Sequence, residues 1–272
     1  KRSIFVIIGY SLSGFVKSIP GLIATVPTVI FSRIVDRIGK GIRSAPRDAL
    51  LASYANGNTG AVFGFHRGMD TLGAVAGPLA ALLLLYFFPG KYSWIYLFAI
   101  IPSLFAIGFT FVVKDAKGSV KNSKKKVYRE FWKSAPREYK ILLLALTAFS
   151  LVNSSDVFLI LKSKQISNSD TVAILGYVFY NLVYAFASYP VGILADKFGK
   201  KNIFIIGLII FSAVYFGFAM NEDHLIVWFL FAFYGIYASS TEGVSKAWVS
   251  DLVPDQFRGS AIGLLTALSS FA

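Results

Sequence analysis

Apolar stretches about as long as a bilayer is thick recur along this chain, separated by short polar breaks. A bilayer core is about 30 Å thick, and a helix crosses it in roughly 20 residues. The stretches lie near residues 3–20, 25–47, 60–88, 92–113, 141–163, 171–194, 202–220 and 225–250, and another begins near 259. They are too numerous and too closely spaced for the core helices of a soluble domain. Pro20, Pro27, Pro46, Pro78, Pro102 and Pro190 fall freely among them, as membrane helices tolerate. The expected fold class is all-α, a polytopic integral membrane protein with about eight and a half helices in this chain. Hydrophobic residues make up 56% of it, above the roughly 45–50% of a soluble domain, so intrinsic disorder is excluded. The absence of Cys removes disulfides, thiolate chemistry and Cys-ligated metals. Two His residues do not make a His-rich metal site, so no metal and no cofactor is expected.

The same chain carries 27 Lys and Arg against 14 Asp and Glu, a net charge of +13. Ten of these cations fall in residues 114–140: Lys114, Lys117, Lys121, Lys124, Lys125, Lys126, Arg129, Lys133, Arg137 and Lys140. The break at 195–201 adds Lys197, Lys200 and Lys201, whereas the break at 219–224 holds Glu222, Asp223 and His224. The breaks alternate, so the positive-inside rule places Lys1, 54–60, 114–140, 195–201 and 251–258 in the cytoplasm. Lys162 and Lys164 fall on the outer side, at a helix end where long side chains snorkel. A prokaryotic inner membrane is the expected location. The basic segment divides the chain into an N-terminal bundle (1–113), a linker (114–140) and a C-terminal bundle (141–272). Within the linker, Val127–Phe131 and Tyr128–Trp132 are i,i+4 pairs beside cations. They read as an interfacial helix on anionic lipid head groups, with lipid sensing as the alternative. The basicity therefore points to membrane lipid and not to nucleic acid. A monomer is expected.

The chain also repeats itself. Lys1-Arg2-Ser3-Ile4-Phe5-Val6-Ile7 matches Lys200-Lys201-Asn202-Ile203-Phe204-Ile205-Ile206, an offset of 199 (200 − 1). Gly60-Ala61-Val62-Phe63-Gly64 matches Gly259-Ser260-Ala261-Ile262-Gly263 at the same offset (259 − 60). Parallel repeats of this kind are a transporter architecture. By the offset, the front half lacks two spans and the rear half most of its last two, which implies an intact protein of about twelve spans in two pseudo-symmetric six-helix bundles.

Gly192-Ile193-Leu194-Ala195-Asp196-Lys197-Phe198-Gly199-Lys200-Lys201 lies between two spans. Its glycines permit close backbones, and Asp196 can cap the adjacent helix or pair with cations across the turn. This segment resembles the G-x-L-a-D-r-x-G-r-K loop of the major facilitator superfamily. Arg33-Ile34-Val35-Asp36-Arg37-Ile38-Gly39-Lys40-Gly41 is similar to that family's fourth-helix pattern R-f-l-q-G-x-G-a-G, but with charges at three commonly neutral positions. Gly73-Ala74-Val75-Ala76-Gly77-Pro78 resembles its G-x-x-x-G-P signature, more frequent in antiporters, with plain helix packing as the other reading. The resemblance implies helices three to eleven of twelve around a central cavity.

Arg33, Asp36, Arg37, Lys40, Arg43 and Arg47 share one face of the 25–47 helix, within an arc of roughly 120°. A charge facing lipid costs at least about 2.5–3.5 kcal/mol, so the stripe should line a polar interior. Arg33, Asp36, Arg37 and Lys40 are candidate substrate-binding residues, with a salt-bridge ladder involving Asp36 and Asp48 as the alternative. Arg43 and Arg47 are candidate gate residues. On the next span, Asp70 can pair with His66 or Arg67, as a proton relay or as a latch. Asn153, Ser154, Ser155 and Asp156 are placed deep in the 141–163 helix. Asp156, an intramembrane carboxylate, is the leading proton-coupling candidate, a pair with a fourth-helix Arg being the alternative. Arg67, Asp196, Lys200, Lys201, Glu242 and Lys246 complete the gate set. Glu242 and Lys246 are i,i+4 and stand at the repeat positions of Arg43 and Arg47.

These features favour a secondary active transporter for a small polar or anionic solute, proton-coupled, with antiport as one mode. No G-x-x-x-x-G-K-[ST] loop is present to drive transport by nucleotide. A membrane enzyme using His66 and Asp70 on a lipid-borne substrate, and a transport-inactive sensor, are the competing classes.

Overall fold

The computed structural model describes residues 1–115 and 127–271, with side chains described up to 115 and from 131 onward apart from Asp170 and Phe271. The cations Lys117–Lys126 lie outside the described residues, as do the side chains of Val127, Tyr128 and Arg129.

Every regular element among the described residues is a helix. In order they are α1 (Arg2–Val16), α2 (Ile19–Leu22), α3 (Val26–Tyr54), α4 (Thr59–Phe87), α5 (Tyr92–Phe98), α6 (Ile100–Val112), α7 (Val127–Ser134), α8 (Arg137–Val152), α9 (Asp156–Ser167), α10 (Asp170–Phe198), α11 (Lys200–Met220), α12 (His224–Asp251) and α13 (Arg258–Phe271). Among the described residues, seven stretches are long and apolar enough to cross a membrane: Arg2–Leu22, Thr59–Phe87, Tyr92–Val112, Arg137–Ser167, Thr171–Phe198, Lys200–Met220 and His224–Asp251. Their outer faces carry exposed apolar side chains such as Leu144, Phe186, Phe216 and Phe229, the surface a lipid solvent requires. α3 matches α4 in length, at 29 residues each, but its charged stripe lowers its hydropathy. It also runs past the expected end at 47, because Asp48–Tyr54 continues the helix beyond Pro46.

One expectation needs correction. Residues 153–155 do not lie within a helix; they break it between α8 and α9. Short polar side chains offer the backbone an alternative to the helix ladder. Here the Ser155 hydroxyl accepts from the Val157 N–H at 3.4 Å and starts α9 afresh.

The described residues form two compact units. The first comprises Lys1–Tyr54, Gly77–Lys133 and Asp255–Gly263. In it α1 lies along α3, and α6 covers α1. The α1–α3 approach is close because a Cβ on Gly9 would fall 2.7 Å from the Gly39 carbonyl oxygen. Phe131 is buried against Phe257, with ring centroids 5.4 Å apart.

The second unit comprises Ala55–Ala76, Ser134–Pro254 and Leu264–Ala272. α12 is its centre, packed on α10 and α11. The core gathers Leu159, Val214, Phe218, Val227 and Phe231 with Tyr180, Tyr184, Tyr234 and Tyr237. The first half of α4 lies against α10, where Gly60, Gly64 and Gly68 meet Gly192, Ser188 and Ala185 backbone to backbone. Small residues at four-residue spacing allow this crossing. By contrast, a Cβ on Gly73 or Gly77 meets nothing within 4 Å.

The crossing sets Asp196 at the start of α4. Its carboxylate accepts from the Gly60 and Ala61 N–H groups, both at 2.8 Å. A carboxylate supplied by α10 thus caps α4, satisfying two orphan donors and complementing the helix dipole. Lys200 Nζ bridges Asp196 at 2.8 Å and Asp251 at 2.7 Å, and the Thr59 hydroxyl donates to Asp251 at 2.9 Å. Between Asp196 and Lys200 the chain turns on Gly199, whose φ of +91° suits glycine. Asp196→Ala removes the cap and one partner of a nearly buried lysine. It should destabilise the protein by about 2–4 kcal/mol, whereas Lys201→Ala, at an exposed position, should stay within about 0.5 kcal/mol. Thermal unfolding of the purified protein in detergent, followed by Trp fluorescence, measures both.

Candidate functional site

The stripe on α3 divides into three parts. Toward α1 the helix buries Ser32, Asp36 and Gly39. The Ser32 hydroxyl donates to the Val16 carbonyl at 2.8 Å. Asp36, only 7% exposed, places Oδ1 3.3 Å from Lys17 Nζ at the end of α1. At the C-terminal end of the stripe, Arg43 lies over the Tyr10 ring, 3.9 Å from its centroid. Arg47 holds buried Asp48 through Nε at 2.9 Å and NH2 at 2.8 Å. Arg33, Arg37 and Lys40 remain exposed. The candidate substrate residues therefore separate into one buried carboxylate and three accessible cations. Lys17 and Tyr10 carried no signal in the sequence, since nothing local ties them to partners 19 and 33 residues away on α3 (36 − 17 and 43 − 10).

In the second unit Arg67 is the hub. Its Nε donates to the Tyr184 hydroxyl at 2.6 Å, its NH1 to Asp70 at 3.2 Å, and its NH2 forms an ion pair with Glu242. α4, α10 and α12 thus share one guanidinium, whose planar fork suits several acceptors at once. The expected Arg67–Asp70 pair is present, and Asp70 remains exposed. His66 is half-buried one position before the hub. Lys201 is exposed, and among the described residues it makes no ion pair of the kind Lys200 makes.

The break between α8 and α9 is ringed by tyrosines. Asp156 accepts from Tyr234 at 2.7 Å and from Tyr180 at 3.4 Å. Asn153 accepts from Tyr237 at 3.4 Å, and Ser154 shares a hydrogen bond with Tyr215. The rings also touch: Tyr180 and Tyr234 centroids are 4.9 Å apart, and Tyr234 and Tyr237 are 5.3 Å apart. Next to this cluster a cavity of about 300 Å³ is lined by Asn153, Tyr237, Thr241, Glu242, Lys246 and Thr266 among others. Thr241 donates back to the Tyr237 carbonyl at 3.0 Å, and Ser150 to the Leu146 carbonyl at 2.9 Å. Their hydroxyls therefore face the cavity mainly as acceptors. Glu242 and Lys246, expected at a gate, both line this cavity.

The Major Facilitator Superfamily profile matches residues 1–174 and 156–272. An uncharacterized MFS-type transporter of Methanocaldococcus jannaschii is 37% identical over 97% of this chain, which spans 67% of that protein. Uncharacterized proteins of Mycobacterium bovis and Mycobacterium tuberculosis are 25% identical over 96% of the chain, which spans 65% of their length. The crystal structure of a double-tryptophan mutant of XylE superposes with a TM-score of 0.78 over 99% of this chain and 70% of that one. Its identity is 17%, so this likeness is one of fold. With the profile spanning the whole chain and seven apolar stretches long enough to cross a bilayer, this integral, multi-pass membrane protein belongs to the Major Facilitator Superfamily.

Proposed function

We propose that the protein is a secondary active transporter that moves a small polar or anionic solute by alternating access of two helical halves, 1–113 and 141–272, coupled to protons. The observation that carries the reading is on α3. Arg33, Arg37 and Lys40 stay accessible along a helix of membrane-spanning length, while their neighbours Arg43 and Arg47 are engaged by Tyr10 and Asp48. Cations held at membrane depth are expensive and mark a ligand or ion path. The break before Asp156 supports the same reading, because interrupted helices are where secondary transporters place binding groups. Asp156, held by two tyrosine hydroxyls, is the proton-coupling group of this reading. Arg67 with Glu242, and Lys200 with Asp196 and Asp251, are its switchable contacts. The orientation puts 114–140 in the cytoplasm of a prokaryotic cell, against anionic lipid, with the monomer as the working unit. An enzymatic role for His66 and Asp70 draws less support, since Asp70 answers to Arg67.

The test is transport by the intact protein in proteoliposomes, screened with organic and inorganic anions under a pH gradient. Arg37→Ala should lower uptake or efflux of the responsive anion at least tenfold, and unchanged transport would make the stripe structural. Asp156→Asn should flatten the pH dependence of transport while leaving protein yield intact. A preserved pH profile would remove Asp156 from the coupling step.

A further inference from the structure

The charges of α3 do not balance within the helix. Its two carboxylates, Asp36 and Asp48, are both buried. Arg47 holds Asp48, and Asp36 pairs with Lys17 at the end of α1. Arg43 lies over the Tyr10 ring. Arg33, Arg37 and Lys40 are left over. All three are exposed, and among the described residues none lies within ion-pair distance of a carboxylate. The neighbouring elements add nothing negative. α1 ends on Lys17, and α2, which also packs on α3, has no titratable side chain.

The spacing of the three cations is specific. From 33 to 37 the helix rises about 6 Å and from 37 to 40 about 4.5 Å, and the three positions fall within about 60° of one face. Like charges at i,i+4 and i,i+3 destabilise a helix, and cations at membrane depth are costly in themselves. A set retained against both penalties calls for a counter-charge from outside the chain. Arg33 and Arg37 also differ in kind from a lysine. Each guanidinium is a planar fork that takes a carboxylate or phosphate through two parallel hydrogen bonds.

We infer that this face takes a bivalent organic anion, whose two oxyanion groups (carboxylate or phosphate) are held about one helical turn apart by a short linker. One group sits on Arg33 and the other on Arg37, with Lys40 adding a point charge beside the second. The inference rests on the reading of α3 as the anion face and narrows its substrate class. A monovalent anion leaves two of the three cations uncompensated. One compact anion shared by both forks has to draw them together against their repulsion, whereas a linker lets each charge keep its own fork. Asp36, paired with Lys17, is not a ligand in this arrangement.

The test uses the intact protein in detergent at fixed ionic strength. Apparent Kd values come from the dependence of Tm on ligand concentration, followed by Trp fluorescence. The probes are α,ω-dicarboxylates from malonate to suberate, alkane α,ω-bisphosphonates of the same lengths, monocarboxylates of matched length, and inorganic phosphate. Affinity should pass through an optimum of linker length in one of the bivalent series. At that optimum it should exceed the matched monocarboxylate and inorganic phosphate by about tenfold or more. The two series distinguish carboxylate from phosphate ends. Arg33→Gln, at an exposed position, should weaken the best bivalent probe by about tenfold or more and change the monocarboxylates by less than about threefold. Arg37→Gln gives the same readout if Arg33→Gln fails to fold. The inference is overturned if monocarboxylates or phosphate match the best bivalent probe, if affinity is indifferent to linker length, or if both variants leave it unchanged. In each of those cases anion binding itself survives. If no anion of either valence shifts the Tm of the folded protein, the anion face fails, and the bivalent class with it.

Discussion

Charge within or beside a hydrocarbon solvent must be partnered or wetted, and the rest of this structure follows from how the chain meets that demand. Lys200 is held by two carboxylates, Asp196 and Asp251. Asp196 also caps α4, so one side chain serves as ion-pair partner and as helix terminus at once. Arg67 shares its guanidinium among a tyrosine and two carboxylates. Arg47 and Asp48 neutralise each other. Against this background Arg33, Arg37 and Lys40 stand out, because they lie on a membrane-length helix and remain accessible.

Much of this was legible in the sequence where a signal was local or periodic. The spans follow from apolar runs, and the Arg67–Asp70 pair from i,i+3 spacing. Asp196 was readable as a cap, but of the adjacent helix, whereas it caps α4. That depended on Gly60 and Gly64 meeting Gly192 and Ser188 across α4 and α10, a crossing between segments more than a hundred residues apart. The tyrosines around Asp156 were invisible for the same reason. Tyr180 and Tyr234 are 24 and 78 residues away from it, and each reads in its own helix as an ordinary aromatic. The break at 153–155 was missed because hydropathy alone runs through it. The run Asn153-Ser154-Ser155-Asp156, dense in side chains that cap and turn, was the available warning.

The two units offer different chemistry. The first displays cations on α3, with Asp36 and Asp48 buried on the same helix. The second surrounds a carboxylate with tyrosines and borders a cavity whose hydroxyls present acceptors. Both arrangements place the ionisable groups where a helix is interrupted or tightly crossed, at Asp156 after the break and at Asp36 beside the Gly9–Gly39 contact. That suits a protein whose proposed work is to exchange one set of ionic contacts for another as it turns from one side of the membrane to the other.

The central claim is that the cationic face of α3 is wet. Single cysteines at Arg33 and Lys40, and at Ile34 and Ile38 on the adjoining apolar face, can be labelled with a membrane-impermeant maleimide on the intact protein in membranes. The account predicts rapid labelling at positions 33 and 40 and little at 34 and 38. Equal labelling of both faces, or none at 33 and 40, would contradict it.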